Sequence, residues 1–118
     1  LTDEEASQGV QARNAKILEA FRKALYQSGL SPKMVEQHVG NIELFANRYL
    51  GAPSPPRLLR DINPADVSIY LESVSMNAKM AQDTLTSFKR FARFLYGTGR
   101  MDPSVAYDFQ DLVRLFRR

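Results

Sequence analysis

The sequence contains no cysteine. That excludes disulfide frameworks, thiolate metal sites and cysteine nucleophiles, and it fits a reducing compartment. His38 is the only histidine, and it lies one residue from the apolar-stripe position Val39, so it reads as a surface or satisfied side chain rather than a catalyst. No apolar run approaches the roughly 18 residues that span a bilayer, and no signal-peptide pattern opens the chain. There is no glycine-rich phosphate loop, no nucleophile elbow and no carboxylate cluster with metal-ligand spacing. Asp108 and Asp111 read as a solvated helix face. The sequence therefore predicts no active site, no metal, no cofactor, no small-molecule ligand and no membrane partner.

What is present is a globular composition. The 118 residues are 44% hydrophobic and 25% charged, enough for one ordinary domain with a core. The chain begins at Leu1 and ends in LFRR within a helical pattern, which carries the expectation of a piece from a longer protein. Net charge is +3, and it is unevenly spread. Between Met76 and Met101, Lys79, Lys89, Arg90, Arg93 and Arg100 face one acid, Asp83. Between Arg13 and Lys33, Arg13, Lys16, Arg22, Lys23 and Lys33 face Glu19. From Asp102 to Val113 there are three acids and no base. A patchy basic surface is what a polyanion reader needs, although lysines and arginines also solvate most helix surfaces.

Periodicity is helical throughout. Thr2 and Glu5 could form a capping box, but the first ten residues read as frayed, and the first long helix is expected over about 11–28. Its stripe is Ile17, Leu18, Phe21, Ala24 and Leu25, and Gly29 stops it. The second helix opens at Ser31, an N-cap followed by Pro32, with Leu30 stapled to Val35. Its apolar face is Val35, Val39, Ile42, Phe45, Ala46 and Tyr49, and it ends at Gly51. A proline-rich loop, GAPSPPRLLR, follows. A third, shorter helix opens at INPADV, with Asn63 as cap, Asp66 at the positive helix end and Ile62 stapled to Val67. Tyr70, Leu71 and Val74 continue its face. The fourth helix opens at Asn77 and runs to Tyr96, with Leu85, Phe88, Phe91, Ala92 and Leu95 inward, and Gly97 and Gly99 end it. A last, short helix carries Phe109, Leu112, Val113 and Phe116.

Two of these helices are copies. A shift of 46 residues lays SPKMVEQHVGNIELFANRYLG on NAKMAQDTLTSFKRFARFLYG. Lys33 then meets Lys79, Met34 meets Met80, Ile42 meets Phe88, Phe45 meets Phe91 and Gly51 meets Gly97. Two units are too few for a solenoid, so a pseudo-twofold pair within one helical domain is expected, each copy packing its apolar face on the other. The repeated lysine belongs to neither apolar stripe. It occupies the second helical position both times, beside free backbone N–H groups and a positive dipole end. Lys33, Gln37, Asn41 and Arg48 on one copy, and Lys79, Gln82, Asp83, Thr86, Lys89, Arg90 and Arg93 on the other, are expected to project away from the core. Lysine and arginine suit phosphates and guanine edges, and glutamine and asparagine suit adenine edges.

The segments LSPKMVEQHVGNIELFANRYL, INPADVSIYL and MNAKMAQDTLTSFKRFARFLYGTGRMDPSVA, in this order and spacing, resemble the N-terminal core-binding domain of tyrosine recombinases, the phage integrases and their relatives. That family reads as a helix ending Gly-Leu-Ser, a long helix opening Ser-x-Lys/Arg-Thr, a short helix opening Ile-Thr-x-x-Asp-Val, and a second long helix with another Lys/Arg-Thr start. A Phe-x-x-Phe/Tyr-Leu run, a glycine-containing turn and Asn-Pro-Ala follow. The match covers about residues 13–106, leaving 1–12 as an N-terminal extension and 107–118 as a helix or linker. The family threonines are replaced by Met34 and Met80, and Asn-Pro-Ala is replaced by Asp102-Pro103-Ser104-Val105-Ala106. The family's catalytic arginine, His-x-x-Arg and tyrosine are missing, since His38 is followed by Val-Gly-Asn, so the chain is not expected to be an enzyme.

The resemblance implies an all-α, SAM-like bundle of four main helices with a short C-terminal helix. It implies binding to double-stranded DNA through Ser31, Lys33, Met34, Gln37 and Asn41 on the second helix. On the fourth helix the set would be Asn77, Lys79, Met80, Gln82, Asp83, Thr86, Lys89, Arg90 and Arg93. Other recombinase protomers in a synaptic complex would be partners, in a cytoplasmic, nucleoid-associated setting in a bacterium, archaeon or phage. A stand-alone helical protein–protein module, docking through the fourth helix or through DLVRLFRR, is the alternative. Exposed phenylalanine or tyrosine on a helix surface would favour it.

Overall fold

Thr2 fixes the first helix start: its hydroxyl accepts the Glu5 N–H at 3.2 Å, satisfying one of the donors a helix leaves open at its N-terminus. The computed structural model describes residues 2–53, 56–73 and 77–116, with side chains described at all of these except 3 and 112–116. The chain is all-α, with no strand among the described residues. Helix α1 spans Asp3–Gln27, so the capped end lies at Asp3, not Gln11, and residues 3–12 are the first turns of α1. Helix α2 spans Pro32–Phe45 and continues into a π-helical turn, Ala46–Leu50. A short 3-10 turn follows at Leu59–Asp61. Helices α3, α4 and α5 span Pro64–Ser73, Ala78–Gly97 and Pro103–Phe116.

Helix ends obey the local chemistry. Ser31 and Asn77 cap α2 and α4, accepting the Met34 and Met80 N–H groups at 3.3 and 2.8 Å. Asn63 and Asp66 form a reciprocal box: the Asp66 N–H donates to Asn63 Oδ1 at 3.1 Å, and the Asn63 N–H donates to Asp66 Oδ2 at 3.0 Å. Asp66 is 4% exposed. Gly29 (φ 91°) and Gly99 (φ 73°) take the left-handed conformation just past α1 and α4. After α4 the Gly99 N–H bonds to the Tyr96 carbonyl and the Arg100 N–H bonds to the Leu95 carbonyl at 2.7 Å, the paired closure of a Schellman turn. The Arg100 guanidinium then lies 5.6 Å over the Phe94 ring.

The chain divides into two compact units, Leu1–Asp61 and Ile62–Arg118. The division falls inside the stretch 13–106, and each unit holds one copy of the repeat. In the first, α2 packs on α1, and α1 also meets the 3-10 turn. Its core includes Phe21, Val35, Ile42, Phe45, Leu50 and Leu59. In the second, α5 packs on α4 and on α3, around Tyr70, Leu85, Phe88, Phe91, Leu95 and Phe109. Each copy thus finds a packing partner inside its own unit. Helix α5 is 14 residues long, the same as the α-helical part of α2, so it is not a short appendage. It starts at Pro103, so residue 107 lies within it. Val74 lies outside the described residues, as do Ser54 and Pro55 of the proline-rich loop and the last two residues of DLVRLFRR. The side chains of Leu112, Val113 and Phe116 do as well.

The copies agree in burial at Val39 and Leu85, Ile42 and Phe88, Phe45 and Phe91, and Ala46 and Ala92. They part at the end. A π turn holds one more residue than an α turn, which advances the inward position by one. In α2 that buries Leu50 completely and leaves Tyr49 half-buried, stacked on Phe45 with centroids 5.2 Å apart. In α4, helical without interruption, the inward residue is Leu95 and its neighbour Tyr96 is 52% exposed. Leu50 and Tyr96 are equivalent positions with opposite environments.

Candidate nucleic-acid interface

The two helix starts present matching surfaces. Lys33, Met34, Lys79 and Met80 are all exposed, the methionines at 38% and 52%. Neither methionine packs in a core, and neither lysine is in an ion pair among the described residues. The free N–H groups expected beside the lysines are fewer than the sequence predicts, because Ser31 and Asn77 each occupy one and Pro32 has none. That leaves the start of α2 with fewer open donors than the start of α4, where Ala78 retains its N–H.

Of the remaining expected contacts, Ser31, Gln37, Asn77 and Arg93 are exposed, as is Arg48 on the π turn. Asn41, Gln82, Asp83, Thr86, Lys89 and Arg90 are half-buried. Lys89 stands beside Ala106, Phe109 and Gln110 of α5. Thr86 turns its hydroxyl onto the Gln82 carbonyl at 3.0 Å, a bond within its own helix. The Nε of Arg90 is buried without a hydrogen-bond partner among the described residues, an open donor on a side chain that stays charged.

The first basic cluster is partly neutralised. Arg22 donates from Nε to Glu36 Oε2 at 2.9 Å and from Nη2 to Glu36 Oε1 at 3.1 Å, and pairs with Glu19. Arg22 therefore ties α1 to α2 rather than facing a ligand. His38 is buried at 3% exposure and its equivalent Thr84 at 5%, so both sit in cores. Among the described residues no three histidine, aspartate or glutamate side chains gather to hold a metal ion, and no helix is long and apolar enough to cross a membrane.

Sequence reasoning missed one feature. Lys89, Arg93 and Tyr96 of α4 line a small crevice of about 40 Å³ with Ala106, Phe109 and Gln110 of α5. The spacing of Lys89, Arg93 and Tyr96 along one face was readable from the sequence; the α5 wall opposite them was not. A larger cavity of about 430 Å³ in the first unit lies between α1 and the π turn, with Glu19, Glu43, Asn14 and Asn47 in its walls.

No protein-family model, no curated protein and no solved structure matches this chain at a significant level.

Proposed function

We propose that this chain is a non-catalytic module that binds duplex DNA, of the kind found as the SAM-like core-binding domain of tyrosine recombinases. The observation that carries the reading is the duplicated helix start. Twice, a capped helix offers an exposed lysine at its second position and an exposed methionine at its third. Neither residue belongs to the core of its unit, so their repetition favours a shared ligand. A polyanion suits lysine beside a helix N-terminus. Gln37 and Arg93 supply groups that read base edges. In this role the module would hold a recombination site beside other protomers, in the DNA-bearing compartment. Strand cleavage would belong to the Arg, His-x-x-Arg and Tyr set of a separate domain.

The test is duplex binding by fluorescence anisotropy across a salt series. Affinity should fall steeply with salt, because neutralised phosphates release counterions. Lys33→Ala with Lys79→Ala should weaken binding and reduce the log–log salt slope by roughly 2, about one per lost phosphate contact. Equal binding by this double variant at every salt concentration would sink the assignment of the surface.

A second reading is favoured by one observation: Tyr26, Tyr96 and Tyr107 are exposed helix residues, at 44%, 52% and 64%. Exposed tyrosines suit a protein–protein surface. Salt-insensitive self-association without DNA affinity, measured by light scattering, would select that reading over the first.

A further inference from the structure

We propose that the crevice between α4 and α5 is a pocket for an unpaired nucleotide, with Lys89 and Arg93 on its phosphates, Tyr96 stacked on its base and Gln110 at the base edge. The inference rests on the nucleic-acid reading above and adds a single-stranded ligand to it.

Four observations converge within one unit. First, Tyr96 is 52% exposed at a position where the other copy buries Leu50 completely. The repeat uses this position for core in one unit and leaves a bare aromatic ring in the other. Second, Lys89, Arg93 and Tyr96 follow one another at i, i+4 and i+7, one ridge of α4. At 1.5 Å per residue they are spaced about 6 and 4.5 Å along the helix axis, so two cations and a ring form a continuous track. Third, neither cation is neutralised by an ion pair among the described residues, whereas Arg22 is held by two glutamates. Fourth, α5 closes the other side with the buried ring of Phe109, the small Ala106 and the exposed amide of Gln110.

The choice of ligand follows from the ring and the cations beside it. The crevice is small, about 40 Å³, room for a few waters, so a planar base would lie across its rim on the tyrosine rather than inside it. In a duplex the base faces are covered by their neighbours, so a stacking ring selects unpaired nucleotides. A cationic groove with stacked aromatics is the general mode of single-strand binding. An amide opposite the ring can bond a base edge.

The experiment uses the full 118-residue chain with three probes. These are a labelled oligothymidylate of roughly a dozen nucleotides, a labelled duplex of mixed sequence, and unlabelled polyglutamate as competitor. Wild type should bind the oligothymidylate. Tyr96→Ala should weaken that binding about fivefold or more, the loss expected from one base–aromatic stack, while duplex affinity stays within twofold. Tyr96→Phe should retain binding, because it keeps the ring. Circular dichroism should show each variant as helical as wild type, as suits an exposed position. Duplex binding without oligothymidylate binding overturns this proposal and leaves the duplex reading standing; binding to neither overturns both. Oligothymidylate affinity unchanged in Tyr96→Ala overturns the role of the crevice. Displacement by polyglutamate at equal charge concentration overturns it in favour of an acidic-peptide dock.

Discussion

Asn14 of α1 holds Leu59 in place through its carboxamide: Oδ1 accepts the Leu59 N–H at 2.8 Å, and Nδ2 donates to the Arg57 carbonyl at 3.1 Å. These bonds join residues more than 40 positions apart in sequence. They fix the segment after the proline-rich loop against α1 and set Leu59 fully into the core of the first unit. Asn14 itself is 7% exposed, so its polar atoms have exchanged water for this backbone.

Asn14→Leu should therefore destabilise the chain by about 1–3 kcal/mol, the usual cost of leaving a buried backbone donor without an acceptor. Asn14→Asp keeps the acceptor for Leu59 but sets a buried carboxylate oxygen against the Arg57 carbonyl, so it should cost at least as much. Urea unfolding would show it as a lower midpoint at an unchanged slope. An Asn14→Leu protein as stable as wild type would mean that water replaces the amide.

The end of the repeat yields a pair of opposite expectations. A Cβ added at Gly51 would lie 2.6 Å from the Asn47 carbonyl oxygen, a backbone atom of the π turn. Its φ of −80° is ordinary, so the conflict is steric, and Gly51→Ala should cost roughly 1–3 kcal/mol. At the equivalent Gly97 a Cβ meets nothing within 4 Å, and Gly97 is the last residue of α4. Gly97→Ala should be neutral or stabilise by up to about 1 kcal/mol. Thermal melts of the two variants should move in different directions.

The same pair shows what the sequence could and could not convey. Helix starts at Ser31, Asn63 and Asn77 were legible because a cap is a bond between residues three apart, and Gly29 and Gly99 because a left-handed turn asks for glycine. The π turn was not legible. Tyr49 and Leu50 are both apolar, so a period of 3.6 accepts either as the inward residue, and one extra residue in a turn changes no pattern upstream. The long start of α1 was readable in the Thr2–Glu5 spacing but was outweighed by the polar composition around it. Of the candidate interface, exposure at Lys33 and Lys79 followed from their places off the apolar stripe. The half-burial of Lys89 did not, because it depends on where α5 packs, a contact between elements that periodicity within α4 cannot encode. Asp66 was placed correctly at a helix start, and its side chain closes the reciprocal box with Asn63.

Arg22 supplies a control for the salt experiments. Its side chain is 30% exposed and those of Glu19 and Glu36 are 68% and 52% exposed, so each pair contributes only about 0.2–1 kcal/mol. Arg22→Ala should lower stability by about 1 kcal/mol or less, with the difference shrinking as salt screens the pairs. Because the guanidinium is already held by carboxylates, duplex affinity and its salt slope should stay at wild-type values. A slope flattened as much as by loss of Lys33 would move Arg22 into the interface.

Asp102 gives the pH dependence of α5. Its Oδ1 accepts the Ser104 N–H at 2.9 Å and the Ser104 hydroxyl at 2.8 Å, capping the helix that Pro103 opens. The backbone bond first, and the hydroxyl bond second, favour the charged carboxylate and lower its pKa from the ordinary 3.8. A depressed carboxylate contributes stability above its unfolded pKa, and the contribution is lost as pH falls through the folded value. The first turn of α5 should therefore hold its protection down to about pH 4 and lose it below that, read by amide exchange at Val105 and Ala106. Carbon-detected NMR titration of the Asp102 carboxyl should give a midpoint below 3.8, and Ser104→Ala should move it part of the way back. A wild-type midpoint at or above 3.8 would mean that the cap does not form in solution.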